Sequence, residues 1–308
     1  MDERDPRRVV NPRRILLTTD FSENSKAAFP YAAALAEEDD SELILVHVIS
    51  QEYYTRDIFD ASPMMDDFVK LVEKEAKEKL NRLDVPGTDD MKLKRKIVRG
   101  STSPAGIVEC AGREDADLIV MATRGHGVFH QVVMGSSARG VVASAPCPVL
   151  CVKPGEKGML DEASGSIRIN RILVPTDASD HSLKALRLGV ELARKHEAEV
   201  SVVYISETQV PPMYRAAGVE SMFSLDGDLP NRIREHLKSF VQKVDTQGVK
   251  CDIEIHEGSP SREIAKAADE SDADLIVICR KGVGDTPHLL GGVTERLLHD
   301  AKHPMLVV

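Results

Sequence analysis

The chain repeats itself. Arg14-Ile-Leu-Leu-Thr-Thr-Asp20 returns as Arg171-Ile-Leu-Val-Pro-Thr-Asp177, an offset of 157 residues. Ser25 matches Ser182, Leu35-Ala36 matches Leu192-Ala193, and Val46-His-Val48 matches Val203-Tyr-Ile205. Ala116-Asp-Leu-Ile-Val120 returns as Ala273-Asp-Leu-Ile-Val277, and Pro148-Val-Leu150 returns one residue out of step as Pro304-Met-Leu306. An offset held over this distance marks a duplication. Whatever fold one half adopts, the other must be able to adopt.

Within each half, short apolar runs alternate with helical stretches, the pattern of an α/β fold with a parallel sheet. Strands are predicted near 14–19, 43–49, 93–98, 117–122 and 148–152, and again near 171–176, 199–205, 250–256, 274–279 and 304–308. Helices are predicted near 24–38, 64–83, 103–113 and 136–144, then near 181–196, 231–247, 260–270 and 293–301. Pro30 falls inside the first helical pattern and is expected to kink it. Residues 154–169, with Pro154, Gly155, Gly158, Ser164, Gly165 and Ser166, read as a flexible linker. The expected organisation is therefore one domain over 1–153, a linker over 154–169 and a second domain over 170–308. Each domain would be a doubly wound, five-stranded, mostly parallel sheet with helices on both faces.

One stretch of the first half carries chemistry. Leu118 to Ala122 is wholly apolar, as befits a strand covered on both faces, and Gly125 and Gly127 break it. Gly135-Ser136-Ser137 then precedes a helical run. Serine beside glycine suits a helix start, whose free N–H groups and positive dipole end favour phosphate. Glycine lets an anion approach backbone that a Cβ would block. The alternative is an ordinary strand-loop-helix connection.

These residues resemble the nucleotide loop of the universal stress protein family, whose ATP-binding members carry Gly-x2-Gly-x9-Gly-Ser/Thr. Gly125, Gly135 and Ser136 match that pattern, and Ala122 stands where the first Gly belongs. The resemblance to tandem members covers almost the whole chain. It also rests on the opening strands with their Asp, the turns Gly100 to Pro104 and Gly258 to Pro260, the Ala-Asp-Leu-Ile-Val strands and the closing Pro-Val-Leu strand. It implies a fold of the adenine-nucleotide alpha hydrolase type. It also implies a first domain that binds ATP or a related adenine nucleotide, with Mg2+ on the phosphates, through Thr19, Asp20, Val48, Met121, Arg124, Gly125, Gly135, Ser136 and Ser137. In relatives the Asp corresponding to Asp20 contacts the nucleoside, the Val48 position touches adenine, and the Met121 position lies against the nucleoside. The residues themselves allow plainer roles: Asp20 and Ser22 as helix caps, and Val48 and Met121 as core. Arg124 is placed to pair with phosphate. His126 and His130 read as loop histidines, since they lack the helix that makes such a spacing a zinc signal.

The second half departs from the pattern. Cys279-Arg-Lys-Gly282 replaces the Gly-x2-Gly start, the loop to Gly291 is one residue shorter, and Gly292 replaces the serine. A degenerate second site is expected, with the shorter loop re-aiming the helix start. The connections 51–67 and 207–229 carry Tyr53, Tyr54, Met64, Met65, Met213, Tyr214 and Met222, which suit either a lid or local packing. By resemblance to dimeric relatives, the terminal strands of the two halves are expected to pair within one chain, leaving a larger homo-oligomer possible.

Composition narrows the partners. A net charge of −10 and aromatic residues at 4% with no Trp disfavour nucleic acid and anionic membrane. The charged N-terminus lacks the apolar core of a signal peptide, and no run is long enough to span a membrane. Five scattered cysteines fit a reducing compartment, so a cytoplasmic location is expected. P-loop, dinucleotide-binding and hydrolase-elbow motifs are absent. A stress-responsive binding protein is the reading. Its rivals are a slow ATPase or phosphotransferase, and a ligand-free interaction protein.

Overall fold

The structure is a computed structural model and describes residues 7–51, 63–88, 91–123, 134–155, 158–161, 163–207, 213, 218–219, 221–282 and 290–308. Two compact units divide it: Met1–Glu156 with Leu160–Ile167, and Lys157–Met159 with Arg168–Val308.

In the first unit, β1 (Arg14–Thr18) buries every residue after Arg14. It pairs in parallel with β2 (Glu42–Ser50) on one side and β4 (Leu118–Ala122) on the other. β2 pairs with β3 (Leu93–Gly100) and β4 with β5 (Val149–Val152), also in parallel. The order β3-β2-β1-β4-β5 reverses between β1 and β4, so a crevice opens at their carboxyl ends. Helices α1 (Arg7–Val10), α2 (Phe29–Glu38), α3 (Pro63–Arg82), α4 (Ser103–Arg113) and α5 (Ser136–Ser144) complete the unit. The core is aliphatic: Ile15, Leu16, Leu17, Leu43, Ile44, Leu45 and Ile119 are sealed from water.

The second unit repeats this order. β6 (Arg171–Thr176) pairs in parallel with β7 (Glu199–Ser206) and β9 (Leu275–Ile278); β7 pairs with β8 (Cys251–Glu257) and β9 with β10 (Met305–Val307). Its helices are α6 (Asp180–His196), α7 (Met222–Leu225), α8 (Leu229–Val241), α9 (Pro260–Glu270) and α10 (Gly292–Asp300). The recurring Ala-Asp-Leu-Ile-Val has a structural cause. Asp117 Oδ2 accepts from the backbone N–H groups of Arg13 (2.9 Å) and Arg14 (3.2 Å), fastening the start of β1 to β4. Asp274 Oδ2 does the same for Asn170 (2.6 Å) and Arg171 (3.0 Å).

Two expectations are corrected. Pro30 does not kink a helix. The run opens as a 3-10 turn over Ser25–Ala28, and α2 begins at Phe29 with Pro30 in its first turn, where a missing N–H costs nothing. The second unit lacks this proline, and α6 runs unbroken for 17 residues. Nor is the connecting segment a structureless coil over its described residues. Leu160 and Ile167 form an antiparallel bridge, and Asp161 Oδ1 accepts from the N–H groups of Ala163 (3.0 Å) and Ser164 (2.9 Å). Met159 and Ile169 are both buried. Gly158 adopts φ +154, and a Cβ there would meet Pro304 Cδ at 2.5 Å, so only glycine fits. Among the described residues, no helix is long and apolar enough to cross a membrane.

Candidate functional site

The carboxyl ends of β1 and β4 place the first-half candidates on one edge. Past β1 the chain makes a tight turn through Phe21, a non-glycine residue at φ 65. Hydroxyl and carboxylate oxygens hold it there. Thr19 Oγ1 accepts from Phe21 N–H at 3.0 Å and lies 3.0 Å from Ser25 Oγ. Asp20 Oδ1 accepts from the Ser22 N–H at 2.9 Å and the Ser22 hydroxyl at 2.5 Å. Ser22 Oγ in turn accepts from Ser25 N–H at 3.1 Å. Asp20 therefore closes the turn, and Ser22 supplies the cap-like bond into the 3-10 helix. From β2, His47 Nδ1 lies 2.9 Å from Thr19 O, and its ring packs 4.1 Å from that of Phe21.

On the β4 side, a backbone clasp sets the helix start. Gly135 N–H donates to Thr123 O at 2.9 Å, and Thr123 N–H donates to Val152 O at 2.9 Å. This brings the first turn of α5, with Ser136 exposed and Ser137 half-buried, to the strand end beside the Asp20 turn. Gly135 has φ −63 and ψ 141, open to any residue, and a Cβ there would lie 3.4 Å from Thr123 O. Among the described residues, packing does not demand glycine here. Thr123 Oγ1 is buried and has no hydrogen-bond partner among the described residues. It is an orphaned hydroxyl at the strand end, which a ligand oxygen would satisfy. The sequence reading missed it; a hydroxyl residue between the strand and Arg124 was the available signal.

The remaining candidates divide. Thr19 is buried, with its hydroxyl committed to the turn. Met121 is buried within β4, opposite Cys151. Val48 is half-buried, and its side chain stands against α4, where a Cβ on Gly106 would meet Val48 Cγ1 at 2.5 Å. Arg124 and Gly125, with His126 and His130, lie outside the described residues. So do Tyr53, Tyr54 and Tyr214 and the side chains of Met64, Met65 and Met222.

The second unit rebuilds the same edge. Ala178 sits at φ 60, its N–H donating to Thr176 Oγ1 at 3.0 Å, and Thr176 Oγ1 lies 2.8 Å from Ser182 Oγ. Asp177 Oδ1 accepts from Ser179 N–H at 3.0 Å, and Ser179 caps α6. Gly291 N–H donates to Arg280 O at 2.8 Å, and Gly291 has φ −62 and ψ 138. The expected re-aiming of the helix start is corrected here. The bond and the torsions match those of Gly135, so the helix start is anchored alike in both units.

The fold and this edge define a class: a duplicated, doubly wound α/β protein with a crevice at each topological switch point. Residues 11–153 and 168–308 each match the Universal stress protein family. The chain belongs to that family, carrying its domain twice. It is 34% identical over 146 residues to a universal stress protein of Methanocaldococcus jannaschii, covering 47% of this chain and 85% of that protein. A Thermus aquaticus universal stress protein is 34% identical over 143 residues, covering 46% of this chain and 98% of its own. Among solved structures, a universal stress protein from Archaeoglobus fulgidus aligns over 96% of this chain and 95% of its own, with a TM-score of 0.63 and 22% identity. That likeness speaks to fold.

Proposed function

We propose that the first unit binds ATP or a related adenine nucleotide and that the chain acts as a stress-responsive binding protein. The observation that carries the reading is the clasp between Gly135 and Thr123, which presents an uncapped helix start at the switch point. Phosphate would take the free N–H groups of α5 and the Ser136 hydroxyl. The Asp20 carboxylate would accept from ribose hydroxyls. A divalent ion would ride on the phosphates, as Mg2+ usually does. The orphaned Thr123 hydroxyl supports the same placement. We also infer, by family resemblance, that the terminal strands β5 and β10 pair within one chain.

Calorimetric titration with ATP tests the first reading. Gly135→Val should fold, because its backbone torsions suit valine, yet should abolish binding by filling the space before the helix. Ser136→Ala removes one hydroxyl donor and should cost about 1–2 kcal/mol, roughly a five- to thirtyfold loss. Unchanged affinity in Gly135→Val would overturn the assignment.

A further inference from the structure

The edge strands of the two units carry opposite charge. Among the described residues, β3 pairs only with β2 and β8 only with β7, so each presents a row of backbone N–H and C=O groups to a further strand. β3 contains Lys94, Arg95, Lys96 and Arg99 and no acid; β8 contains Asp252, Glu254 and Glu257 and no Lys or Arg. The two strands are counterparts. Leu43 pairs with Leu93, and Val200, the residue 157 positions on from Leu43, pairs with Cys251. Lys94 therefore corresponds to Asp252, and Lys96 to Glu254. The duplication kept the strand and reversed its charge.

The sheet face beside each edge follows the same reversal. In the first unit Lys94 Nζ lies 2.9 Å from Glu42 Oε1, and Lys96 Nζ hydrogen-bonds to Glu114, just past α4. The counterpart of Glu114 in the second unit is Ser271, which has no charge. There the same face holds a hollow of about 210 Å³, lined by Ser201, Asp252, Glu254 and Ser271 among others. The carboxylates of Glu199, Asp252 and Glu254 around it outnumber the cations, Arg171 and Lys250. In the first unit the balance is inverted, with Arg14, Lys94 and Lys96 set against Glu42 and Glu114. The side chains of Lys94 and Asp252 are 50% and 61% exposed, so both can reach a neighbouring molecule.

We propose that these edges form a head-to-tail interface between copies of the chain, in which β3 of one copy adds to β8 of a second and Lys94 and Lys96 meet Asp252 and Glu254 over the hollow. Both strands are the same edge of the same fold, so they face each other only after a half-turn of one copy. A half-turn about the sheet normal makes them antiparallel and keeps the lysines on the face that holds Asp252 and Glu254. Residues two apart share a face, so setting Lys96 opposite Asp252 sets Lys94 opposite Glu254. Like charges guard each edge against its own kind, β3 against β3 and β8 against β8. Only the cross pairing is favoured by charge. A joined copy still offers one edge of each sign, so association runs past the dimer. The inference does not rest on nucleotide binding by either unit.

Sedimentation equilibrium of the full chain tests it. The average mass should exceed that of one chain, rise with protein concentration, and fall when salt is raised from about 50 mM to about 500 mM. Lys94→Glu with Lys96→Glu, and separately Asp252→Lys with Glu254→Lys, should each weaken association at least about tenfold. The first variant has two acidic edges and the second two basic ones, so mixing them should restore association. Lys96 also bonds Glu114, so if the lysine variant does not fold, the Asp252 and Glu254 variant decides alone. A wild-type chain that stays single up to about 100 μM at low salt would overturn the proposal. So would folded variants that associate as tightly as wild type, or that stay apart when mixed.

Discussion

Thr19 and Thr176 show how one side-chain oxygen can shape a site it does not touch. Each accepts from the N–H two residues later at 3.0 Å, holding Phe21 and Ala178 in a left-handed conformation that costs a non-glycine residue energy. The carboxylate inside each turn, Asp20 or Asp177, accepts from the N–H of Ser22 or Ser179. Charge matters elsewhere at this scale. Glu114 sits below the usual carboxylate range because the Lys96 ammonium hydrogen-bonds to it. A depressed carboxyl pKa adds stability above the unfolded value and loses it as pH falls through the folded one. Glu114→Gln should therefore cost about 1 kcal/mol at pH 7. In acid titrations followed by urea unfolding, the gap to wild type should close as pH drops below 4.5. A gap independent of pH would mean the ion pair contributes nothing.

Between elements, contact is set by what is missing. Gly106 lets α4 lie against Val48, and a Cβ there would approach Val48 Cγ1 to 2.5 Å. Gly106→Val should overpack this contact and destabilise by about 1–3 kcal/mol. It should also push Val48 toward the ligand edge, so ATP affinity should fall together with the melting temperature. A drop in stability with unaltered affinity would separate Val48 from the site. Strand and helix positions were legible from periodicity: α5 and α9 begin and end at the expected residues, 136–144 and 260–270. Pro30 was misread because a proline's position within a helix depends on where that helix starts. The chain runs as a 3-10 turn over Ser25–Ala28 before α2 begins at Phe29, a local geometry the hydropathy pattern does not encode.

For the molecule as a whole, the duplication governs expectations. β10 is short, but Met305, Leu306 and Val307 are all buried and extend the sheet from β9. Deleting Met305–Val308 should strip that edge and lower the stability of the second unit. If the terminal strands also pair within the chain, the truncation should yield new dimers by light scattering; an unchanged size would count against the pairing. The sequence by itself determined the repeat, the parallel α/β class and the glycine-serine helix start, since periodicity and turn chemistry are local and survive translation into letters. Only the tertiary structure decided what each half does with its edge. It showed that a loop one residue shorter ends in the same clasp, because the bond from Gly291 to Arg280 O, not loop length, anchors the helix. It showed a buried hydroxyl at Thr123 with no hydrogen-bond partner among the described residues. Residues as far apart in the chain as Arg13 and Asp117 meet only when a sheet's strand order places their elements side by side, and no local pattern carries that information.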